Sequence, residues 1–441
     1  MIGQSRDELS PLDLPKRPDF THRAHRFPGK FHPPLISQII EQNPDSAVIA
    51  DPMCGSGTTG VEAVVAGRDA ICMDIDPLCT LMTRAKTRPV SASDLRALRD
   101  EIISGAGEMP EEGELSKTDA KAVVKSNLNG TRYCVPYNLH HWFEPHVSVG
   151  FSLLLFSAYE QLQYQSERLE DAIHTSLAAM VRQISRADPD PVSGLEVTKV
   201  RKKELKEGVD FDVLGSFNNV VERLARGYDK LNNLENELGH AKVFEQDAKN
   251  FSKVCFENGR KPEIIVSSPP YCNAIEYYRR HRLEYEWLGL FNDESIDDHR
   301  SNRIETSRDF FGSTTTLQET LKNIEPHEND GISELMDKIA RDGKQRKANL
   351  LRKYFLDAYD WLKEMNDALV KGGYLYLIVG PSTSYGHTVP TPRFLTEIAV
   401  SDEVGFEKVD SRRYELANNK MQYPTEGDTT ELEALIKFES E

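Results

Sequence analysis

The chain has 441 residues, 39% of them hydrophobic, and a formal net charge of −17, which suits one large soluble core with room for an insertion. Its six cysteines, Cys54, Cys72, Cys79, Cys134, Cys255 and Cys272, form no CxxC pair, so neither a zinc site nor a disulfide framework is indicated and a reducing cytoplasm is expected. Met1 to Phe20 has no apolar signal core and Val147 to Tyr159 is too short to span a bilayer, so no membrane attachment is expected.

After a polar tail over 1–20, residues 22–40 read as a proline-marked turn, Phe27-Pro28-Gly29-Lys30-Phe31-His32-Pro33-Pro34, opening an apolar helix at Leu35-Ile36. A hydrophobic strand at 47–51 runs into the turn Asp51-Pro52-Met53-Cys54-Gly55-Ser56-Gly57-Thr58-Thr59. A helix from about Thr58 to Ala66 stops at Gly67, and a strand from Ala70 to Met73 ends in Asp74-Ile75-Asp76-Pro77. This is a βαβ unit, and its parallel strands imply a doubly wound sheet.

Between 91 and 239 the apolar spacing is helical, with a Pro-Asp-Pro interruption at 189–191 and no sustained strand alternation. The α/β pattern resumes with strand Ala241 to Glu245, Asp247, strand Glu263 to Val266 and the turn Ser267-Ser268-Pro269-Pro270-Tyr271. Residues 91–239 therefore read as a helical insertion. Ile275 to Leu290 reads as helix, and the polar stretch from Phe291 to about Gln345 takes no assignment. A long helix from about Ala348 to Leu369, a Gly372-Gly373 stop, strand Tyr374 to Gly380, and a terminal pair beginning at Gly405 and Glu433 complete the chain.

The glycine turn and the Pro-Pro-Tyr turn each follow a predicted strand. Together they resemble the S-adenosylmethionine-dependent DNA amino-methyltransferases, the N4-cytosine and N6-adenine type. The resemblance implies a Rossmann-like methyltransferase fold: α/β, with a doubly wound, mostly parallel seven-stranded sheet. It assigns S-adenosylmethionine to the first turn and the amino group to be methylated to the second. Phe27-Pro-Gly-Lys-Phe-His-Pro is similar to the family's N-terminal motif, with Phe31 as the aromatic against the cofactor. Tyr354 to Ser382 resembles its fifth-strand unit, and Ser411-Arg412-Arg413-Tyr414 falls where its last hairpin begins. The catalytic domain is thus expected over 21–90 and 240–441, interrupted by 91–239.

On this reading, Gly55 and Gly57 admit close backbone approach and unusual φ values, and the helix opening near Thr58 presents free N–H groups. Cys54 and Ser56 complete the cofactor-binding turn. Asp51 is expected to take the ligand's ammonium, Asp74 its ribose hydroxyls, and Asp247 its adenine amino group. Asp76 is the alternative to Asp74, and helix capping is the alternative role for Asp247. No metal is expected.

Methyl transfer to an exocyclic nitrogen requires its delocalised lone pair to be localised. Pro269 offers a carbonyl and no N–H, and the Ser268 hydroxyl can accept a second hydrogen bond, so both favour the charge developing on nitrogen. Pro270 stiffens the turn, and Tyr271 offers a face on which an extruded base can stack. Cys272 is read as a bystander thiol; the competing covalent route to 5-methylcytosine resembles a Pro-Cys motif that the chain lacks. In the family a serine before Pro-Pro-Tyr goes with cytosine N4, Asp or Asn with adenine N6, and guanine N2 in RNA is more distant.

Double-stranded DNA is the expected partner, with cognate restriction or defence subunits possible. Against the acidic balance stand basic islands at 199–206, with Lys202 and Lys203, and after the catalytic turn, with Arg279, Arg280 and Arg282. Either 91–239 or 292–345 can serve as the recognition region. A non-catalytic nucleic-acid-binding scaffold on a degenerate fold is the competing class, but the glycines, Asp74 and Pro-Pro-Tyr that it would lose are all present.

Overall fold

The computed structural model describes residues 19–27, 31–189, 195–272, 277–290, 329–384, 386–415 and 432–441. Most of the tail, residues 28–30 of the N-terminal motif, part of the 189–191 interruption and most of 292–345 lie outside them. Strand β1, Val48–Asp51, is buried along its whole length, as a central parallel strand must be when helices cover both faces. Beside it runs β2, Asp69–Asp74, and beyond that β3, Ala241–Glu245. On the other side come β4, Ile264–Ser267, and β5, Tyr374–Val379. A small hairpin follows, β6 Ser382–Ser384 with β7 His387–Val389. The edge is an antiparallel pair, β8 Phe406–Glu415 and β9 Leu432–Ser440.

Among the described residues the large sheet has seven strands in the order β3-β2-β1-β4-β5-β9-β8. The first five are mutually parallel and β9 runs antiparallel to β5. The expected α/β sheet, mostly parallel and seven-stranded, is therefore present. Alternation along the strands divides the core. Val48, Ala50, Ile71, Met73, Ile265 and Leu377 pack beneath helices Phe251–Glu257, Gln345–Ala368 and Thr391–Ala399. Ile49, Cys72, Ile264, Val266 and Ile378 face Leu35, Ile36, Ile39 and Ile40 of helix Pro33–Glu41 on the other side.

Residues 91–239 hold only helices among those described, seven in number from Ala92–Ala106 to Val213–Asn232. Ser91, Ser116, Ser166, Thr198 and Asp212 each cap one by accepting a backbone amide. This region has no core of its own. Phe151, Ile173 and Phe217 share one apolar cluster with Val61, Leu78 and Met82 of helices Thr58–Val65 and Pro77–Thr87, and with Trp287 beyond the catalytic turn. The β6–β7 hairpin is not among the expected elements, being short and largely polar, nor is helix Asp330–Ile339, whose Ile332, Leu335, Met336 and Ile339 lie at helical spacing within a charged stretch.

Candidate active site

The order β2-β1-β4 makes β1 and β4 the place where successive connections depart to opposite sides, the ligand-binding crevice of open α/β sheets. The register Ala50↔Ile265 sends the turns after Asp51 and after Ser267 off the same carboxyl edge side by side.

The glycine turn is closed by its own backbone. The Gly57 amide donates to the Cys54 carbonyl at 2.7 Å, and the Cys54 amide to the Met73 carbonyl at 2.9 Å. Gly57 has φ 76° and forms the N-cap of helix Thr58–Val65. Here the expectation that the glycines clear space for a ligand meets a different fact. A Cβ at Gly57 would stand 2.6 Å from Thr83 Oγ1, and one at Gly55 would stand 3.2 Å from the Phe27 ring. Gly57 is thus required by the chain's own packing, and Gly55 is favoured by its left-handed φ of 48°. From below, the buried Lys86 ammonium donates to the Ser56 carbonyl.

Four acids mark the crevice. Asp51 is fully buried; its Oδ1 accepts from the Met53 amide at 3.2 Å. Its Oδ2 has no hydrogen-bond partner among the described residues, nor have the buried Thr59 Oγ1 and Ser267 Oγ. Burial pushes Asp51 up to about 7, against the weaker opposing pull of Thr59, Met53 and Ser267. Asp74, half-buried at the tip of β2, accepts from the Gly55 amide at 2.8 Å and the Asp76 amide at 3.0 Å. Burial and then the neighbouring Asp76 charge raise it to about 7.

Asp76 is engaged by the fold. It caps helix Pro77–Thr87 through the Leu78 amide at 2.8 Å and accepts from the Tyr285 hydroxyl at 2.5 Å, with His281 Nδ1 at 3.6 Å. Burial alone would raise it, but His281, Tyr285 and Leu78 together hold it below the usual carboxylate range. Asp247 caps a short turn by accepting from the Lys249 amide at 3.0 Å. It stands beside the Asp74 strand end, where the Gln246 amide donates to the Asp74 carbonyl. Phe31 is half-buried against the cluster that contains Cys54 and Leu35.

Sequence reasoning gave no role to Thr21, His22 and His25 and no partner to Phe27. Thr21 donates to the Lys86 carbonyl, buried His22 meets Glu62 at 2.7 Å, and Phe27 packs on His281 with ring centroids 5.3 Å apart. Burial, reinforced by His281, lowers His25 to about 3, so it stays neutral. Isolated histidines in a turn carry no signal that they will meet a partner 250 residues away.

In the second turn Pro269 is buried, while Ser268, Pro270, Tyr271 and Cys272 are half-buried. The Tyr354 hydroxyl donates to the Pro270 carbonyl at 2.9 Å, and the Tyr271 phenol donates to the Glu433 carboxylate of β9. Cys272 Sγ lies 3.6 Å from Thr391 Oγ1, and burial pushes its thiol pKa up. Of the basic candidates, Arg279, Lys202 and Lys203 are exposed. Arg280 is buried, and Arg282 is drawn to Glu286 at 3.3 Å and to the Trp142 ring. No group of side chains among the described residues could hold a metal ion, and no helix there is long and apolar enough to cross a membrane.

No family profile and no solved structure matches the chain. It is 23% identical to Type II methyltransferase M.MvaI of Kocuria varians over 407 residues, 86% of this chain and 81% of that protein. It is 23% identical to Type II methyltransferase M.BsoBI of Geobacillus stearothermophilus over 294 residues, covering 61% of this chain and 53% of the relative. A third match, 27% over 120 residues, is Type II methyltransferase M.MjaII of Methanocaldococcus jannaschii. Along most of its length, then, this chain is similar to Type II methyltransferases.

Proposed function

We propose that this protein is a site-specific DNA methyltransferase, moving the methyl group of S-adenosylmethionine to the exocyclic amino group of an extruded base, with cytosine N4 as the target. The observation that carries this reading is the β1–β4 adjacency, which brings the Asp51 turn and the Ser268-Pro269-Pro270-Tyr271 turn to one edge of the sheet. The similarity to Type II methyltransferases supports the enzyme class, and S-adenosylmethionine is the methyl donor of that class.

The residues present suit that cofactor. Asp51 Oδ2 is a buried carboxylate oxygen near the Thr59 and Ser267 hydroxyls but in no well-formed hydrogen bond among the described residues, and a ligand ammonium would offset the burial that raises its pKa. Asp74, partly exposed where Asp76 is fully engaged, is the acid for the ribose hydroxyls. Asp247 stands at the next strand end for the adenine amino group. Cys54, Gly55, Ser56, Gly57 and Thr58 shape the turn between them, and Phe31 closes one side. When bound, the cofactor supplies a sulfonium methyl group for in-line displacement. Ser268 and Pro269 accept from the base's amino group and favour the charge that develops on it, while Tyr271, its phenol tied to Glu433, offers its ring to the base.

The catalytic domain is assigned to 21–90 and 240–441. Residues 91–239 are assigned to target recognition, with Arg279, Lys202 and Lys203 on phosphates. Arg280 and Arg282 serve the fold in this reading. The Type II naming of the relatives makes a cognate restriction nuclease the partner class to seek. The test is transfer of labelled methyl groups from S-adenosylmethionine to duplex DNA by the purified protein; label entering only RNA, or no label entering either, overturns the reading.

A further inference from the structure

Helix Gln345–Ala368 leads directly into β5, so it runs opposite to the parallel strands and its first turns lie at their carboxyl edge. The bond from Tyr354 to the Pro270 carbonyl fixes residue 354 level with the catalytic turn. At 1.5 Å per residue, residues 345–353 carry the helix roughly 13 Å past that turn. Ahead of them the chain reverses sharply at Ala340–Lys344, with Gly343 at φ 77° and open space around it.

This projecting tip has the wrong charge for the rest of the chain. Seven of the sixteen residues from Lys338 to Lys353 are basic and one, Asp342, is acidic, in a protein of net charge −17. Nearer the sheet, Arg352 and Lys353 are answered by Asp337 and Asp357. Asp342 is held by His387 at 2.7 Å. Lys338, Arg341, Lys344 and Arg346 are exposed on the tip. The island at 199–206 is a second local concentration of positive charge, with Arg201 and Lys203 paired to Glu204 and Glu207 on the same helix.

We propose that the tip formed by Lys338, Arg341, Lys344 and Arg346 is a phosphate-binding ridge for duplex DNA, gripping the backbone beside the base presented to the Pro-Pro-Tyr turn. The inference rests on DNA being the substrate. A protein with a strongly acidic total charge can hold a polyanion only through such local concentrations of positive charge, and this one stands on the catalytic edge.

The experiment is duplex binding across a salt series for wild type, Lys344→Ala/Arg346→Ala and Lys202→Ala/Lys203→Ala, with S-adenosylmethionine affinity measured on each by calorimetry. For each phosphate no longer gripped, the ridge variant should shallow the slope of log K against log salt by about one unit and weaken binding at 0.1 M salt by about eightfold. The weakening should be equal on cognate and random sequences, and cofactor affinity should stay at the wild-type value. A charge-reversing Lys344→Glu/Arg346→Glu variant should weaken binding further. If wild type binds and methylates DNA while both ridge variants keep its slope, the ridge is overturned and the enzyme reading stands. If wild type neither binds nor methylates DNA, both fall.

Discussion

The Tyr354 hydroxyl, at the end of a fully buried side chain, donates to the carbonyl of Pro270 at 2.9 Å. Pro269 and Pro270 have no N–H, so the catalytic turn cannot be pinned through its own amide donors there. Its carbonyls and the Tyr271 phenol are the available handles, and Tyr354 and Glu433 hold one of each. The position of the proposed base-binding groups is therefore set by a helix and a strand more than 80 residues further along the chain.

Tyr354→Phe removes that one donor and little volume. It should cost about 1 kcal/mol of stability and lower kcat by about tenfold or more, because small misplacements of reacting groups slow a reaction steeply. Cofactor affinity should be unchanged. Steady-state kinetics with calorimetric S-adenosylmethionine titration checks this; a fall in cofactor affinity matching the fall in kcat would place Tyr354 in cofactor binding instead.

The acids of the crevice make stability depend on pH in a direction that can be worked out. Asp51 and Asp74 are raised from 3.8 to about 7, so between those values the folded chain holds protons that the unfolded chain has lost. Their contribution to stability is greatest at low pH and falls as pH rises from about 4 through 7. His25 and His174, lowered from 6.5 to about 3, act in the opposite sense, adding stability as pH rises through that range. The difference between wild type and Asp51→Asn isolates the acid: without cofactor, the variant should gain relative stability between pH 5 and pH 8 (about three units of pH spanning the raised value). With S-adenosylmethionine, the rise in Tm of wild type should increase across the same interval as Asp51 ionises to meet the ammonium. A thermal shift independent of pH would remove Asp51 from the ligand's contacts.

What was legible in the sequence was the part set by local chemistry. Three buried apolar residues and Asp51 before a glycine turn identify β1, and Asp74-Ile-Asp-Pro identifies a strand end running into a capped helix. The proposed choice of Asp74 over Asp76 as the ribose acid rests on contacts that the local sequence does not show: Tyr285 and His281, more than 200 residues away, occupy Asp76. The same holds for the basic island after the catalytic turn: Arg279, Arg280 and Arg282 look alike in sequence, but helical geometry turns Arg280 inward and brings Arg282 to Trp142. Asp51's environment depends on Ser267 of the neighbouring strand, a pairing that only the sheet order reveals.

Ser268→Ala and Tyr271→Ala should lower methyl transfer far more than cofactor binding, since both are assigned to the base. Cys272 sits against Thr391 with its thiol pKa pushed up by burial, the opposite of what a nucleophilic thiolate needs. Cys272→Ala should therefore keep appreciable activity. A folded, cofactor-binding Cys272→Ala protein with no activity would instead point to covalent attack on the cytosine ring.

The proposed identity of the methylated base rests on one residue. A hydroxyl at position 268 and the Pro269 carbonyl are both acceptors, and the amino groups of cytosine and adenine offer the same two N–H donors, so hydrogen-bond count does not separate them. The serine before Pro-Pro-Tyr, which goes with cytosine in the enzymes this chain resembles, is the ground for proposing N4-methylcytosine at a short defined site as the product. Duplex DNA methylated by the protein, digested to nucleosides and separated by mass, should yield N4-methylcytosine. N6-methyladenine in its place would keep the fold, the cofactor and the catalytic turn, and would show that the side chain at 268 does not select the ring. Ser268→Asn then becomes the informative variant: retained activity with an unchanged product would locate base selection outside the turn, in residues that close on the base from elsewhere in the chain.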